Sequence, residues 1–452
     1  MGKKILLKSF AVLFFLTLCV SNVFASDIPG LYCKSAILMD KDSGKILYGL
    51  QENEKVYPAS TTKVLTAILV LESLDLSSST VVSQEAIKLP YGSSNAALKQ
   101  GEVISIQDLL YALMLKSGND AANVLAEAVS GTIDEFVNLM NKKALDIGCT
   151  NTHFTNAHGY HDDNHYTTPV DMMKIFSYAL EIDEFEKIIS TSSYTIPATN
   201  KTAKERIYQN TNRLILTKED SYLSRYYQHC IGGKTGYTDE AGRTLVAYAK
   251  NSDKNLLLGV FNSDPSSIED LRYTDSINLF EYGFNNFEKT QIIKKEDYRF
   301  TYENKENDMI YNYSIADDVY ALSDTSNTNS LSVINYDISL DYNLLDNYDI
   351  NTDNYKNQVV GSIKVTFSQN SSTYDKEYDL VINNISLRPW IERKSTQKLL
   401  TTILVIIIII FVLFIVLKIL IKLSSKRRKS KRIPTKHVRR NIKYKSRRTR
   451  QF

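Results

Sequence analysis

Cysteine is scarce in this chain, with only four among its 452 residues. Cys19 lies in an apolar N-terminal stretch, so the remainder holds only Cys33, Cys149 and Cys230. Three widely spaced cysteines provide neither a disulfide framework nor the ligand spacing of a zinc site. At most one disulfide can form, and the sequence does not say between which two residues.

Glycine is nearly missing from the last part of the chain. Sixteen of the 17 glycines precede residue 284, and only Gly361 follows it. A change of composition on this scale indicates a domain boundary. We predict a first domain over residues 26–286 and a smaller β-rich domain over residues 290–392.

Acidic residues are absent from the C-terminal end, where 16 Lys and Arg follow Leu417. An uncharged run precedes them, and the apolar character extends over residues 399–421, about the length that a bilayer core requires. We predict one transmembrane helix there. The segment rich in Lys and Arg beside a transmembrane helix usually stays in the cytoplasm. Residues 422–452 should therefore form a cytoplasmic tail, with the preceding domains outside the cell.

The N-terminus has the pattern of a secretory signal peptide over residues 1–25. Lysines come first, an apolar run spans residues 10–20, and small residues precede Ser26. A short membrane anchor is the alternative. Without this segment and the tail, 35 basic residues face 51 acidic ones, which argues against nucleic acid as a partner of the exported part. The tail itself suits anionic lipid headgroups.

The exported region mixes hairpins with helices. Short apolar strands flank turns at Asp42-Ser43-Gly44 and Asn251-Ser252-Asp253, while helical patterns fill residues 64–74, 109–115 and 121–129. Strands at both ends with helices between them predict an α+β fold, in which one antiparallel sheet is covered by helices. A small all-β domain and the transmembrane helix follow.

Ser60 and Lys63 are the first candidates for chemistry. They begin a helical pattern, and residues three apart share one helix face, so the serine hydroxyl and the lysine amine can meet. A buried lysine with a lowered pKa is able to activate a serine nucleophile. The pair alone is a weak signal, because Ser395 and Lys398 have the same spacing beside the membrane span.

Two further elements follow in the chain. Ser117-Gly118-Asn119 interrupts a helical pattern, so its side chains either cap a helix or point into a cleft. Lys234-Thr235-Gly236 precedes a hairpin, where glycine on an edge strand permits close approach of a ligand and a lysine suits a carboxylate. An ordinary surface strand is the alternative for this second element.

In this order the three elements match the S-x-x-K, S-x-N and K-T-G set of penicillin-binding proteins and β-lactamases. Residues 36–284 resemble a serine-type D-alanyl-D-alanine carboxypeptidase, a low-molecular-mass penicillin-binding protein. The resemblance implies that Ser60 attacks the penultimate D-alanine carbonyl of a peptidoglycan stem peptide. Lys63 would accept the proton, Ser117 would relay it to the leaving amine, and Asn119 would bind substrate. The amides of Ser60 and Tyr237 would form the oxyanion hole.

The resemblance also implies roles for the residues of the strand that follows Gly233. Lys234 would supply positive potential, Thr235 would bind the terminal carboxylate, and Gly236 would allow the substrate to add a strand. Arg272 stands where the family has an anion-binding arginine. β-Lactams would acylate the same serine. No cofactor is implied.

Four histidines, His153, His158, His161 and His165, raise the question of a metal site. Their spacing does not match a familiar zinc site, and the family has a similar loop, so no metal is expected.

Two alternatives remain for the function. A β-lactamase would need a glutamate to activate water, and residues 155–169 contain none. A sensor would keep the cleft without hydrolysis, and an endopeptidase is a variant of the same class.

Overall fold

The computed structural model describes residues 30–325, 332–345, 355–369 and 372–429. The predicted signal peptide lies outside the described residues, as does the predicted basic tail beyond residue 429. The strands in chain order are β1 (Cys33–Asp40), β2 (Ile46–Leu50), β3 (Ser79–Val81), β4 (Val103–Ser105), β5 (Ser193–Ile196), β6 (Arg206–Gln209), β7 (Cys230–Thr238), β8 (Gly242–Asn251), β9 (Lys254–Ser263), β10 (Phe287–Ile293), β11 (Arg299–Asn304), β12 (Met309–Ile315), β13 (Val319–Asp324), β14 (Ser332–Leu340), β15 (Val359–Gln369) and β16 (Ser372–Leu387).

The helices in chain order are α1 (Lys63–Ser73), α2 (Ile106–Met114), α3 (Asn119–Ser130), α4 (Ile133–Asp146), α5 (Pro169–Ala179), α6 (Asp183–Ser190), α7 (Leu271–Asn286), α8 (Tyr342–Leu345) and α9 (Lys394–Lys429). Short 3-10 turns precede α1 and α9, at Ala59–Thr62 and Trp390–Glu392.

One five-stranded sheet organises the first part of the chain, in the order β2-β1-β9-β8-β7 with all pairs antiparallel. Successive side chains of a strand point to opposite faces, and here both faces are buried. Ile37 and Met39 join a core with the helices α1 to α6, whereas Ala36 and Leu38 join a second core with α7. The predicted α+β fold with a helix-covered antiparallel sheet is confirmed.

Helix α1 lies at the centre of the larger core. Every side chain from Lys63 to Val70 is buried, so this helix is enclosed on all sides and not only along one stripe. Helices α2 and α3 pack beside it, separated by the four residues 115–118. The predicted interruption between these two helices is therefore present. It brings the start of α3 towards the start of α1.

The chain divides into two compact units. The first contains the residues up to Arg299 together with Ser314–Tyr342 and Val359–Val381. The second contains Phe300–Tyr313, Asn343–Gln358 and the chain from Ile382 onward. Within the first unit, β10 pairs with β13, and β15 lies between β14 and β16 in antiparallel register. Strands β11 to β16 lie within residues 290–392, the range predicted to be rich in strands, while the bounds of the two predicted domains stay a prediction.

Helix α9 belongs to the second unit and is long and apolar enough to cross a membrane. Within its segment Lys394–Ser424, an 18-residue window has a mean hydropathy of 3.6, and none of that window is buried. The Asp308 carboxylate accepts a hydrogen bond of 2.9 Å from the Lys394 amide and so caps the start of the helix. An exposed helix of this composition is consistent with a membrane anchor.

Candidate active site

Ser60 lies in the 3-10 turn that leads into α1. The preceding residue, Ala59, has a positive φ of 48°, a left-handed conformation that is uncommon for residues other than glycine. The Thr61 hydroxyl donates to the Pro58 carbonyl at 2.7 Å and closes the turn. Such strained backbone is often found at functional sites, and here it fixes the position of the serine.

Lys63 is fully buried beneath Ser60. Its Nζ lies 2.9 Å from Ser60 Oγ and donates to two oxygens at 2.7 Å each, Asn119 Oδ1 and the His158 carbonyl. Burial, followed by the positive charge of Lys234, lowers the pKa of Lys63 well below the usual lysine value, whereas Asp120 opposes the shift. This environment favours the neutral amine.

The hydrogen-bond partners of Lys63 indicate how its neutral amine is oriented. A neutral amine has two N–H bonds and one lone pair. Neither Asn119 Oδ1 nor the His158 carbonyl oxygen can donate a proton, so these two oxygens take both N–H bonds. The lone pair is then left for the Ser60 hydroxyl. The site can therefore remove the proton from the nucleophile.

Ser117 and Lys234 form a second pair. Lys234 Nζ donates to Ser117 Oγ at 3.0 Å and to the Thr235 carbonyl at 2.9 Å. Ser117 has a positive φ of 60°, a second left-handed backbone position at the site. Burial, and to a smaller extent the charge of Arg272, lowers the pKa of Lys234 to about 7.

Strand β7 forms one wall of the site and is the edge strand of the sheet. A Cβ on Gly236 would lie 2.4 Å from Thr244 Oγ1 and 2.9 Å from the Ser60 amide nitrogen, so only glycine lets the strand approach the serine this closely. The Thr235 hydroxyl donates to the Thr211 hydroxyl at 2.7 Å. The Tyr237 side chain is half exposed and donates to Asp239.

Arg272 lies beneath the same strand edge. One guanidinium nitrogen donates to the carbonyls of Gly236 and Thr244 at 3.1 Å each, and the other donates to Asp270 at 2.9 Å. The guanidinium therefore ties β7 to β8. Its Nε has no hydrogen-bond partner among the described residues. Anion binding by Arg272 remains a prediction.

Three site residues were not identified from the sequence. The His158 carbonyl binds Lys63, the Thr211 hydroxyl binds Thr235, and the Asp120 carboxylate accepts hydrogen bonds from the amides of Ala96 and Leu98. Asp120 stands directly after Asn119, so its position beside the motif was a usable signal. A backbone carbonyl, by contrast, leaves no trace in the amino-acid sequence.

The loop at residues 153–165, which carries the four histidines (the histidine loop), packs against the 3-10 turn Ala59–Thr62 that holds Ser60 (the nucleophile turn). His165 Nε2 and the Thr62 hydroxyl are 2.8 Å apart, and burial lowers the pKa of both His158 and His165 to about 3. These two imidazoles are therefore neutral and unsuited to proton transfer near neutral pH. Within the part of the chain that the structure describes, no group of three or more potential ligands is placed to hold a metal ion.

The arrangement around Ser60 is typical of one class of protein, the serine enzymes that work by acyl transfer. A family model for D-alanyl-D-alanine carboxypeptidases, peptidase family S11, matches residues 22–265, more than half of the chain. The chain belongs to this family, and the predicted family and enzyme class are confirmed.

Individual relatives agree with the family. The D-alanyl-D-alanine carboxypeptidase DacF of Bacillus subtilis is 33% identical over 267 residues, which cover 58% of this chain and 64% of the relative. DacB2 of Mycobacterium tuberculosis is 33% identical over 259 residues, 57% of this chain and 84% of the relative. The matched region thus spans somewhat less than two thirds of the Bacillus protein.

Solved structures show the same fold. Penicillin binding protein 5 from Haemophilus influenzae has a TM-score of 0.58 at 25% identity and covers 79% of this chain and 98% of its own. A point mutant of the Streptomyces K15 DD-transpeptidase has a TM-score of 0.52 at 31% identity, and the match covers 57% of this chain and 99% of the transpeptidase. The comparisons support the carboxypeptidase and give no support to a β-lactamase or a sensor.

Proposed function

We propose that this chain removes the terminal D-alanine from peptidoglycan stem pentapeptides through an acyl intermediate on Ser60, and that β-lactams acylate the same oxygen. The observation that carries the proposal is the environment of Lys63. Two oxygen acceptors fix both N–H bonds of its neutral amine, and the lone pair faces Ser60 Oγ at 2.9 Å. A serine held this way is a preformed nucleophile wherever Lys63 is neutral.

Acylation follows from this arrangement. Ser60 Oγ attacks the penultimate D-alanine carbonyl while its proton passes to Lys63, and the backbone amides of Ser60 and Tyr237 bind the oxyanion. The C–N bond then breaks. Ser117 hands a proton to the departing D-alanine amine, and the proton on Lys63 replaces it. Water afterwards attacks the ester carbonyl and gives one proton to Lys63. The bond between Ser60 Oγ and the carbonyl carbon then breaks, Lys63 returns its proton to Ser60 Oγ, and the shortened peptide leaves.

Substrate binding uses the edge of β7 and the turn opposite. The peptide adds as a strand beside Gly236, where no side chain blocks it. Asn119 binds the peptide backbone, Lys234 and Thr235 hold the terminal carboxylate, and Arg272 adds positive potential from behind the strand. The terminal carboxylate requirement explains why such an enzyme acts at the C-terminal end of the peptide.

The proposed location is the outer face of the cell membrane. The signal peptide would export the catalytic domain, α9 would span the bilayer once, and the basic tail would remain in the cytoplasm beside anionic lipids. The apolar, exposed segment Lys394–Ser424 supports the anchor. Peptidoglycan lies on that same side, within reach of the catalytic domain.

The function is tested with the full-length chain in detergent. A pentapeptide ending in D-Ala-D-Ala should release D-alanine, and labelled penicillin should form a stable adduct, with both signals absent from the Ser60→Ala control. In intact cells, a penicillin label too polar to cross the membrane should reach the same serine. Rapid penicillin turnover without D-alanine release would point to a β-lactamase, and a stable adduct without peptidase activity would point to a sensor.

The pH dependence of kcat/KM should be bell-shaped. Lys63 must be neutral to act as the base. Because its pKa is lowered, protonation of Lys63 reduces the rate on the acid side of the profile, as pH drops through that pKa. Lys234 must be protonated to attract the carboxylate, so the rate falls on the alkaline side, as pH rises through about 7. A methyl ester of the same pentapeptide should lack the alkaline limb. An alkaline limb of equal size for both peptides would contradict this role of Lys234.

A further inference from the structure

A groove of about 500 Å³ opens beside the turn Ser117-Gly118-Asn119, called here the catalytic turn, and it is separate from the Ser60–Lys63 pair. Residues 93–97 line one wall and the strand residues Arg206–Tyr208 line the other, and Lys116 also lines the groove. Lys116 is the residue directly before Ser117. A molecule in this groove would therefore touch the chain one residue away from the proton relay.

Hydrogen bonds to the catalytic turn hold the first wall in place. The Ser94 carbonyl accepts from the Asn119 amide at 2.9 Å, and the Ser94 hydroxyl donates to the Lys116 carbonyl at 3.1 Å. The buried Asp120 carboxylate accepts from the Ala96 amide at 2.8 Å. From the opposite wall, the Tyr208 hydroxyl donates to the Ala96 carbonyl. The groove is thus built into the same structure that positions Ser117 and Asn119.

The charge of this groove differs from the overall charge of the exported part of the chain. The exported part of the chain has 35 basic against 51 acidic residues, yet the groove lining contains no carboxylate. Arg206 is paired with the buried Glu102, and its Nε and Nη1 have no partner among the described residues. Lys116 is exposed, and no ion pair to it occurs in the described part of the chain. The free positive charge of the groove is therefore that of Lys116.

We propose that this groove binds the acyl-donor part of the peptide substrate and that Lys116 recognises a carboxylate on it. The inference rests on the proposed function. That function assigns the terminal carboxylate to Thr235, and the leaving group is a single D-alanine. Any further carboxylate of a pentapeptide consequently lies before the scissile bond, on the acyl side. Lys116 is then a specificity-determining residue that attracts this charge.

The test compares matched substrates with the full-length chain in detergent. N-Acetylated peptides with glutamate or glutamine directly before D-Ala-D-Ala differ only in one carboxylate, and a second pair places the same difference one residue earlier. For at least one pair, kcat/KM should favour the carboxylate about two- to fivefold, as expected for a partly exposed ion pair. The preference should decrease as salt is added. The pair that shows it identifies the position of the recognised carboxylate.

Variants separate charge recognition from other effects. The ratio between the paired substrates should fall to about one in Lys116→Gln and should invert in Lys116→Glu. Lys204→Gln is the matched control, since Lys204 is an exposed lysine that does not line the groove, and it should keep the wild-type ratio. Equal ratios in all four proteins would overturn the inference while D-alanine is still released. Loss of D-alanine release from every substrate in the wild type would instead contradict the proposed function.

Discussion

Replacement of Lys63 by arginine should slow acylation of Ser60 by at least about 100-fold. An arginine side chain keeps the positive charge at this position, but a guanidinium does not lose its proton in proteins. It therefore has no lone pair to accept the hydroxyl proton. General-base catalysis contributes about 10²- to 10⁴-fold, and the loss in the rate of penicillin adduct formation should lie in that range or above it. The rate is measured with labelled penicillin on the full-length chain.

The Lys63→Arg experiment distinguishes two roles that one lysine can have. If Lys63 acted only as a positive charge near the oxyanion, arginine would retain much of the rate. A loss of less than tenfold would thus contradict the assignment as base. Lys143→Arg is the matched control, because Lys143 forms a partly exposed ion pair with Glu72 and arginine can replace it there. This control should form the adduct at the wild-type rate.

Burial of Lys63 adds a stability effect that must be measured beside the rate. The amine is enclosed by Asn119 Oδ1 and the His158 carbonyl, and a larger guanidinium overfills that space. Lys63→Met is a second variant with similar length and no charge. It should also fail to form the adduct. Thermal unfolding of both variants shows whether a folded protein has lost the reaction or the protein has lost its fold.

Much of the sheet could be predicted because most of its strands pair with the next strand along the chain and form hairpins. The short apolar run Ala36-Ile37-Leu38-Met39 marks a strand, and the turn at residues 42–44 marks its hairpin partner. The pairing of β1 with β9 joins residues more than 200 positions apart. A pattern of apolar residues indicates that such strands exist but does not contain their register. That register depends on how the helices fill the two cores.

The site could be predicted where side-chain identities carry the chemistry. Ser60, Lys63, Ser117, Asn119 and Lys234 lie together in the structure through hydrogen bonds of 2.7–3.0 Å. The His158 carbonyl could not be predicted, because every residue has a carbonyl and only the fold brings this one to Lys63. The bonds of Arg272 to two backbone carbonyls escaped prediction for the same reason.

The pair Ser395 and Lys398 shows why spacing alone is insufficient. Both lie in α9, so they do share a helix, as Ser60 and Lys63 nearly do. The side chains of Ser395 and Lys398 are exposed, however, whereas Lys63 is fully buried. Burial lowers the pKa of an amine and turns it into a base near neutral pH. A sequence motif specifies which residues are present, and burial in the surrounding core determines the pKa of the lysine amine.

Substitution of Gly159 by alanine should damage both the fold and the reaction. Gly159 has a positive φ of 86°, and a Cβ there would lie 1.7 Å from the Ala59 carbonyl oxygen and 2.4 Å from its carbon. These atoms belong to the backbone directly before Ser60, so the overlap is relieved only if the loop or the nucleophile turn moves. The loop also carries the His158 carbonyl that binds Lys63. A shift of about 1 Å in such a site costs about 100-fold in rate.

Gly148→Ala provides the matched control for this prediction. Gly148 has nearly the same φ, 88°, but nothing lies within 4 Å of its added Cβ. It should cost only the conformational strain, about 1–2 kcal/mol, and lower Tm by a few degrees while the penicillin adduct forms normally. Gly159→Ala should lower Tm by clearly more and slow adduct formation about 100-fold or more. Equal Tm values and equal rates for the two variants would mean that the histidine loop does not press on the Ser60 turn. A difference between them isolates that close contact, because the backbone strain is common to both.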